Sequence, residues 1–164
     1  MPLIKNGRIA EEDWAFIEGD TVLPDGKVTV TLERFKSERE TLLGRNVPLG
    51  VRLLPEDDPH DLIDDLERLD LIEVSFPKYV DGRGYSQAQL LRRRLGYKGE
   101  LRAIGDVLRD QALLMVRSGF DALVLTNTDE AGFQAALAEY AEIYQADARG
   151  DTTVFAKRHE GKAG

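Results

Sequence analysis

A glycine-rich segment carries the clearest candidate chemistry in the sequence. It follows Lys78 and reads Asp81-Gly82-Arg83-Gly84-Tyr85-Ser86. Glycines allow backbone N–H groups to approach an anion, and Arg83 near the start of a predicted helix adds positive potential. The spacing matches neither a Walker phosphate loop nor the dinucleotide-binding fingerprint. The alternative interpretation is a plain turn, in which Asp81 holds the loop together and Ser86 caps the helix.

A basic cluster stands out from the rest of the chain. Arg92, Arg93 and Arg94 are consecutive, and Lys98 and Arg102 follow them. Three adjacent residues on a helix spread over about 200° of arc, so they cannot all contact one phosphate group. We expect at least one of them to pair with a carboxylate. The cluster is either a docking surface for an acidic partner or an ordinary solvated face.

Carboxylates around the next predicted strand suggest another kind of site. Asp106 and Asp110 lie one helical turn apart, with Glu100 upstream, which suits acid–base chemistry or a cation. The alternative is structural, because Asp106 also suits a helix N-cap and Arg109 can neutralise Asp110.

Composition limits the classes of function. The 164 residues include no cysteine, and 30 acidic against 22 basic side chains give a net charge of -8. The lack of cysteine excludes disulfides, thiolate metal sites and Cys-ligated clusters. Two isolated histidines, His60 and His159, supply neither a catalytic triad nor a two-histidine metal site.

The charge and the hydropathy pattern limit the partners as well. The negative net charge argues against nucleic acid and anionic membranes as partners. The N-terminus does not resemble a signal peptide, and no apolar run approaches the ~20 residues of a membrane span. We therefore predict a cytoplasmic protein with no evident cofactor and no metal.

Apolar and β-branched runs predict five strands, each followed by a helix. The predicted strands cover residues 27–31, 47–54, 71–76, 101–104 and 122–125. The predicted helices cover residues 32–43, 57–69, 86–95, 107–117 and 129–145.

Repeated βα units predict an α/β protein with a parallel sheet and helices on both faces. A flavodoxin-like or Rossmann-like open sheet is the first interpretation, and a half or truncated β/α barrel is the alternative. A single α/β domain would span residues 27–146. An irregular or hairpin-like lead-in at 1–26 would precede it, and a loosely held tail at 147–164 would follow.

In either fold, ligands bind outside the carboxyl ends of the strands. That edge should gather the connections at residues 55–57, 76–86, 105–106 and 126–127. Arg83 and Asp106 would then converge on one pocket. The candidate ligand- or partner-binding residues are Lys78, Asp81, Gly82, Arg83, Tyr85, Ser86, Arg92, Arg94, Arg102, Asp106 and Asp110.

The central half of the chain resembles an uncharacterised bacterial family, classed only as a domain of unknown function. The resemblance rests on Phe76-Pro77-Lys78, Asp81-Gly82-Arg83, Ser86, Leu91 to Arg94, Gly99 to Ala103, Gly105 to Leu108, Asp110-Gln111 and Gly119-Phe120-Asp121. Genes of this family commonly accompany those for assimilatory sulfite and sulfate reduction, and its members are often labelled oxidoreductases for that reason. The resemblance supplies no catalytic residues to transfer.

The resemblance implies a role near sulfite reduction, but the chain lacks what a sulfite reductase needs. Such an enzyme passes electrons through haem-type and iron–sulfur centres, and this sequence offers neither cysteine nor a nicotinamide or flavin signature. We therefore expect an accessory, non-catalytic protein that docks on sulfite reductase, its electron donor or another pathway protein. The alternative is a small enzyme or ligand-binding domain for an anionic metabolite such as a nucleotide, sulfite or sulfate. A homo-oligomer is compatible with either.

Overall fold

The computed structural model describes residues 3–78, 81–106, 109–125 and 128–148. Within these ranges the chain forms one eight-stranded sheet. Its strands are β1 (Leu3–Lys5), β2 (Arg8–Ala10), β3 (Ala15–Phe16), β4 (Val28–Thr31), β5 (Leu49–Leu53), β6 (Leu71–Phe76), β7 (Glu100–Gly105) and β8 (Ala122–Leu125). All five predicted strands are present, as β4 to β8.

The strands follow one another across the sheet in the order β2-β1-β8-β7-β6-β5-β4-β3. From β3 to β8 each strand pairs in parallel with the strand that follows it in the chain. Right-handed crossovers add every new strand on the same side, and the twist of the sheet curls it into half of a barrel. The α/β class is therefore confirmed, and the architecture is that of the half-barrel alternative.

The Rossmann-like interpretation is wrong for two reasons. The order of the described strands never reverses, so they form no topological switch point at which a doubly wound fold could bind its ligand. The sheet is also partly antiparallel, because β1 pairs antiparallel with both β2 and β8. A two-residue turn at Asn6 and Gly7, both with positive φ, closes the hairpin of β1 and β2.

The helices of the described residues cover one face of the sheet and not both, so the prediction of helices on both faces is wrong for this part of the chain. They are α1 (Leu32–Ser37), α2 (Arg39–Leu43), α3 (Arg83–Gln89), α4 (Ala112–Ser118) and α5 (Glu130–Ala148). Their buried side chains share a core with alternate strand residues such as Val51, Ile72 and Leu101. The small cluster on the other face, Leu3, Ile104, Ala122 and Val124, includes no helical residue. Sequential right-handed crossovers explain this, since each places its helix on the same side.

Four of the five predicted helices differ in detail from the structure. The one at 32–43 is divided at Glu38 into α1 and α2, and within 107–117 a 3₁₀ turn, Arg109–Gln111, precedes α4. The segment predicted as a helix at 57–69 forms two 3₁₀ turns, Pro59–Leu62 and Leu66–Arg68, and Asp58 caps the first. Asp65, only 3% exposed between them, is held by two hydrogen bonds from Arg39, and this side-chain pairing takes the place of a continuous helix.

The helix predicted at 86–95 begins earlier than expected. It begins at Arg83 and continues as a π-helical turn over Leu90–Arg94, so Ser86 lies inside the helix and not at its N-cap. Of the described helices, none combines the length and the apolar character needed to cross a bilayer.

Candidate functional site

The sheet face opposite the helices, which we call the open face, carries polar side chains at alternate strand positions. They include Lys5, Arg52, Glu73, Ser75, Glu100 and Arg102. Successive strand residues point to opposite faces, so the apolar neighbours of these residues face the helices. The polar side chains of the sheet can therefore contact a ligand or a partner on the open face.

A short segment lies against this face and divides it. Residues 11–14, which we call the strap, connect β2 at one edge of the sheet to β3 at the other. Glu12 anchors the strap, because its Oε2 accepts a hydrogen bond of 2.6 Å from Nη1 of Arg102 on β7. One cavity, of about 390 Å³, lies toward the amino ends of the strands and contains Lys5, Lys27 and Asp70 in its lining.

The second cavity, which we call the carboxyl-end pocket, lies where β5 to β8 end. Its volume is about 460 Å³. Strand residues including Arg52, Glu73 and Ser75 form its floor, and Trp14 and Phe16 stand on the side of the strap. Asp106 lies at its rim. This is the position at which β/α barrels bind their ligands, so we treat this pocket as the candidate site.

Arg52 and Glu73 form the charged part of the floor. Nη2 of Arg52 donates a hydrogen bond of 3.0 Å to Oε2 of Glu73, on the neighbouring strand at the paired register position. The guanidinium also stacks on Phe16, with 3.5 Å between Cζ and the ring centroid. These contacts fix the side chain in place, while its Nε has no hydrogen-bond partner among the described residues.

Arg102 lies beneath the strap and is only 2% exposed. It donates to Glu12 from Nη1, and to Oε1 of Glu100 from Nε at 3.1 Å and from Nη2 at 2.8 Å. Glu100 also accepts from Nζ of Lys5 at 2.8 Å. Burial alone would raise the pKa of the Glu100 carboxyl, but the hydrogen bonds from Lys5 and Arg102 outweigh it and lower the pKa. Arg102 is thus a buried structural cation, and its bond to Glu12 holds the strap against the sheet.

Asp106 is the carboxylate at the rim whose side chain has no bonding partner among the described residues. Its backbone N–H donates to the carbonyl of Phe76 at 2.7 Å, which joins the connection after β7 to the end of β6. The parallel sheet therefore brings these two connections together at one edge, as the sequence predicted.

The glycine-rich segment does not face this pocket. Arg83 is exposed and donates to both carboxylate oxygens of Asp81, at 3.0 Å from Nε and at 2.6 Å from Nη2. Because Arg83 satisfies that carboxylate, the pKa of Asp81 falls to about 2. Lys78, Gly82 and Ser86 are exposed, and Tyr85 is buried against Phe76 at 5.1 Å between ring centroids. The expected convergence of Arg83 and Asp106 is not seen, because Arg83 is bound within its own loop.

The basic cluster divides between the interior and the surface. Arg92 bonds to the carbonyls of Tyr97, Gly99 and Gly119, and to Oδ2 of Asp121 at 2.6 Å. It therefore connects the end of the π-helical turn to the amino edge of the sheet, opposite the carboxyl-end pocket. Arg93 and Arg94 are exposed on the same turn.

The remaining candidates do not join the pocket. Asp110 is exposed in a 3₁₀ turn, and Arg102 has the buried role given above. The predicted edge residues Thr126 and Asn127 lie outside the described residues. Within the described ranges, no three His, Cys, Asp or Glu side chains lie close enough to hold a metal ion.

Sequence reasoning missed most of the pocket, although a signal was present. Arg52, Glu73 and Ser75 occupy alternate positions between apolar residues in β5 and β6. Such alternation is typical of a sheet with one face packed by helices and one face polar. Trp14 and Phe16 also line the pocket, but nothing local in the sequence connects them to Arg52.

No curated protein matches the chain. Residues 50–155 match the model of a family described as bacterial protein of unknown function (DUF934). Because the match covers more than half of the chain, including β6 to β8 and all of β5 except Leu49, the chain belongs to that family.

Proposed function

We propose that this protein is an accessory, non-catalytic protein of assimilatory sulfite reduction. It docks on sulfite reductase, on its electron donor or on a neighbouring pathway protein, and the carboxyl-end pocket is part of its docking surface. The link to sulfite reduction rests on the resemblance to a family whose genes accompany that pathway.

The pairing of the charges around the pocket carries the non-catalytic part of the proposal. Arg52 is paired with Glu73, and Arg102 lies between Glu12 and Glu100. General acid–base or nucleophilic catalysis needs a group that is free to exchange a proton or attack a substrate. Asp106 at the rim is the exception, because its carboxylate has no partner among the described residues. The other charged side chains make a pre-organised surface with fixed charges and aromatic walls, which suits recognition.

Capture from a native extract tests the docking directly. The tagged full-length chain is immobilised, incubated with extract of sulfate-grown cells, and the retained proteins are identified by mass spectrometry. We expect sulfite reductase or its electron donor among the enriched proteins, and fewer of them with the Phe16→Ala variant, which removes one aromatic wall. Capture that enriches neither protein would contradict the proposal.

A ligand-binding role for an anionic metabolite is the second candidate. The observation that favours it is the buried Nε of Arg52, a donor without a partner among the described residues, in a side chain that lines the pocket. Saturating sulfite, sulfate or a nucleotide at 100 times its dissociation constant would stabilise the fold by about 2.7 kcal/mol. A rise in melting temperature that disappears in Arg52→Gln would favour this candidate over docking.

A further inference from the structure

We propose that the carboxyl-end pocket receives a lysine or arginine side chain of the partner protein. This inference rests on the proposed function and names the chemistry of its contact. The cationic end of the side chain would bond to Glu73 and Asp106, and its aliphatic stem would lie along the apolar part of the pocket.

The charge of the pocket favours a cation. Its lining contains three carboxylates, of Glu12, Glu73 and Asp106, and one guanidinium, that of Arg52. Arg102 pairs with the carboxylate of Glu12, and Arg52 pairs with one oxygen of Glu73. An unneutralised carboxylate therefore remains at the rim, and the pocket as a whole attracts positive charge.

Glu73 gives independent evidence that the pocket lacks a donor. This side chain is 3% exposed, and its Oε2 accepts from Arg52. The only bond to this carboxylate among the described residues is the one to Oε2, and Oε1 is not among the fully enclosed unpartnered atoms. Because Glu73 lines the pocket, an incoming N–H donor can reach Oε1 and form a charge-assisted hydrogen bond.

The apolar lining matches the stem of such a side chain. Trp14, Ile104 and Val124 line the same pocket as the two carboxylates. Lysine and arginine bury their methylene groups on apolar surface while their charged ends reach polar groups. A cation beside Trp14 also gains from the ring quadrupole.

The same arrangement disfavours an anion. The guanidinium of Arg52 is already paired with Glu73 and stacked on Phe16. An anion that used the free Nε of Arg52 would lie among carboxylates and would have to be desolvated beside them. The cationic side chain meets no such repulsion.

A titration with n-butylammonium chloride tests the cation site without the partner. The full chain, labelled with ¹⁵N, is titrated at constant ionic strength and followed by the Trp14 indole N–H and the Ser75 amide. We expect saturable shifts at these two positions with n-butylammonium and none with n-butanol, which has the same stem without the charge. The absence of saturable shifts, or equal binding of n-butanol, would overturn the proposal.

Charge-removing variants locate the contact. Asp106→Asn should weaken n-butylammonium binding about tenfold, because one charge-assisted hydrogen bond is lost. Asp25→Asn makes the same chemical change at an exposed turn outside the pocket and should leave the affinity unchanged. Glu73→Gln should weaken binding at least as much, and if that variant does not fold, Asp106→Asn alone decides. Equal affinity of Asp106→Asn and Asp25→Asn would overturn the proposal.

A titration with a peptide distinguishes a protein side chain from a free amine as the source of the cation. Acetyl-Ala-Lys-Ala-amide should bind more tightly than n-butylammonium, since its backbone reaches the rim of the pocket, and weaker binding would contradict a protein source.

The docking proposal and the cation-site proposal can fail independently. Extract capture that is unchanged in Asp106→Asn would contradict the cation contact but not docking. Binding of n-butylammonium without capture of either protein would contradict docking but not the cation site.

Discussion

Arginine residues in this chain have roles that depend on burial more than on their position in the sequence. Arg92, Arg93 and Arg94 are consecutive, yet Arg92 makes four hydrogen bonds within the fold while its two neighbours are exposed. A docking surface that uses the basic cluster therefore has Arg93, Arg94 and Lys98 available, which are exposed. The sequence predicted that one of the three would pair with a carboxylate, and Asp121 is that carboxylate.

Arg92→Ala should lower the free energy of unfolding by about 2–4 kcal/mol, because three carbonyls and a carboxylate lose their common donor. Arg93→Ala is the matched control and should change stability by less than about 0.5 kcal/mol. Urea denaturation of both variants measures the difference. Equal stability of the two variants would contradict the structural role of Arg92.

Glu100 should make the stability of the protein depend on pH in the acidic range. Its pKa is lowered in the fold, so its ion pairs stabilise the native state above its ordinary pKa, about 4.3 in peptides. That stabilisation is lost as the pH falls through the lower folded-state value. Glu100→Gln should therefore be less stable than the natural chain at pH 7 and nearly equal to it at pH 2.

Urea denaturation at both pH values tests this expectation. Glu139→Gln, at an exposed position of α5, is the control and should differ little from the natural chain at either pH. A deficit of Glu100→Gln that is as large at pH 2 as at pH 7 would show that the Glu100 pKa is not lowered.

At the scale of elements, α3 can pack closely on β6 because a glycine faces the sheet. A Cβ added to Gly84 would collide with the ring of Phe76. Phe76 also contacts Tyr85 and Phe120, so its ring has little freedom to move away. The glycine-rich segment thus serves helix packing, a role that the sequence alone does not distinguish from anion binding.

Gly84→Ala should destabilise the protein by about 1–3 kcal/mol through overpacking, although alanine is the better helix former. Gly82→Ala is the control, because a Cβ at that position meets no atom within 4 Å and φ is -80°. Thermal denaturation of both variants gives the comparison. A Gly84→Ala variant at least as stable as the natural chain would contradict the close packing of α3 on β6.

Most elements could be predicted from the sequence, and the exceptions have physical reasons. Strands β4 to β8 show their apolar runs directly. The segment at 57–69 has apolar residues at helical spacing, but the pairing of the buried Asp65 with Arg39 is a tertiary contact that no local pattern reveals. The π-helical turn at Leu90–Arg94 likewise contains Arg92, whose hydrogen-bond acceptors include the distant carbonyl of Gly119, and no local pattern reveals that contact.

At the scale of the whole molecule, the order of the strands decides what kind of site the protein has. Connections of the length of residues 54–70 can reach either the adjacent strand or a more distant one, so the sequence could not separate a half barrel from a doubly wound sheet. The alternation of Arg52, Glu73 and Ser75 with apolar residues did carry the information that one face is polar. The crossing of that face by the strap follows only from the fold.

Photocrosslinking tests most directly whether the carboxyl-end pocket is the docking site. A benzophenone amino acid replaces Pro77, at the exposed rim of the pocket, or Lys98, exposed near the amino edge of the sheet. We predict a crosslink to sulfite reductase or its electron donor from position 77 and none from position 98. A crosslink to either protein from position 98 alone would contradict the account.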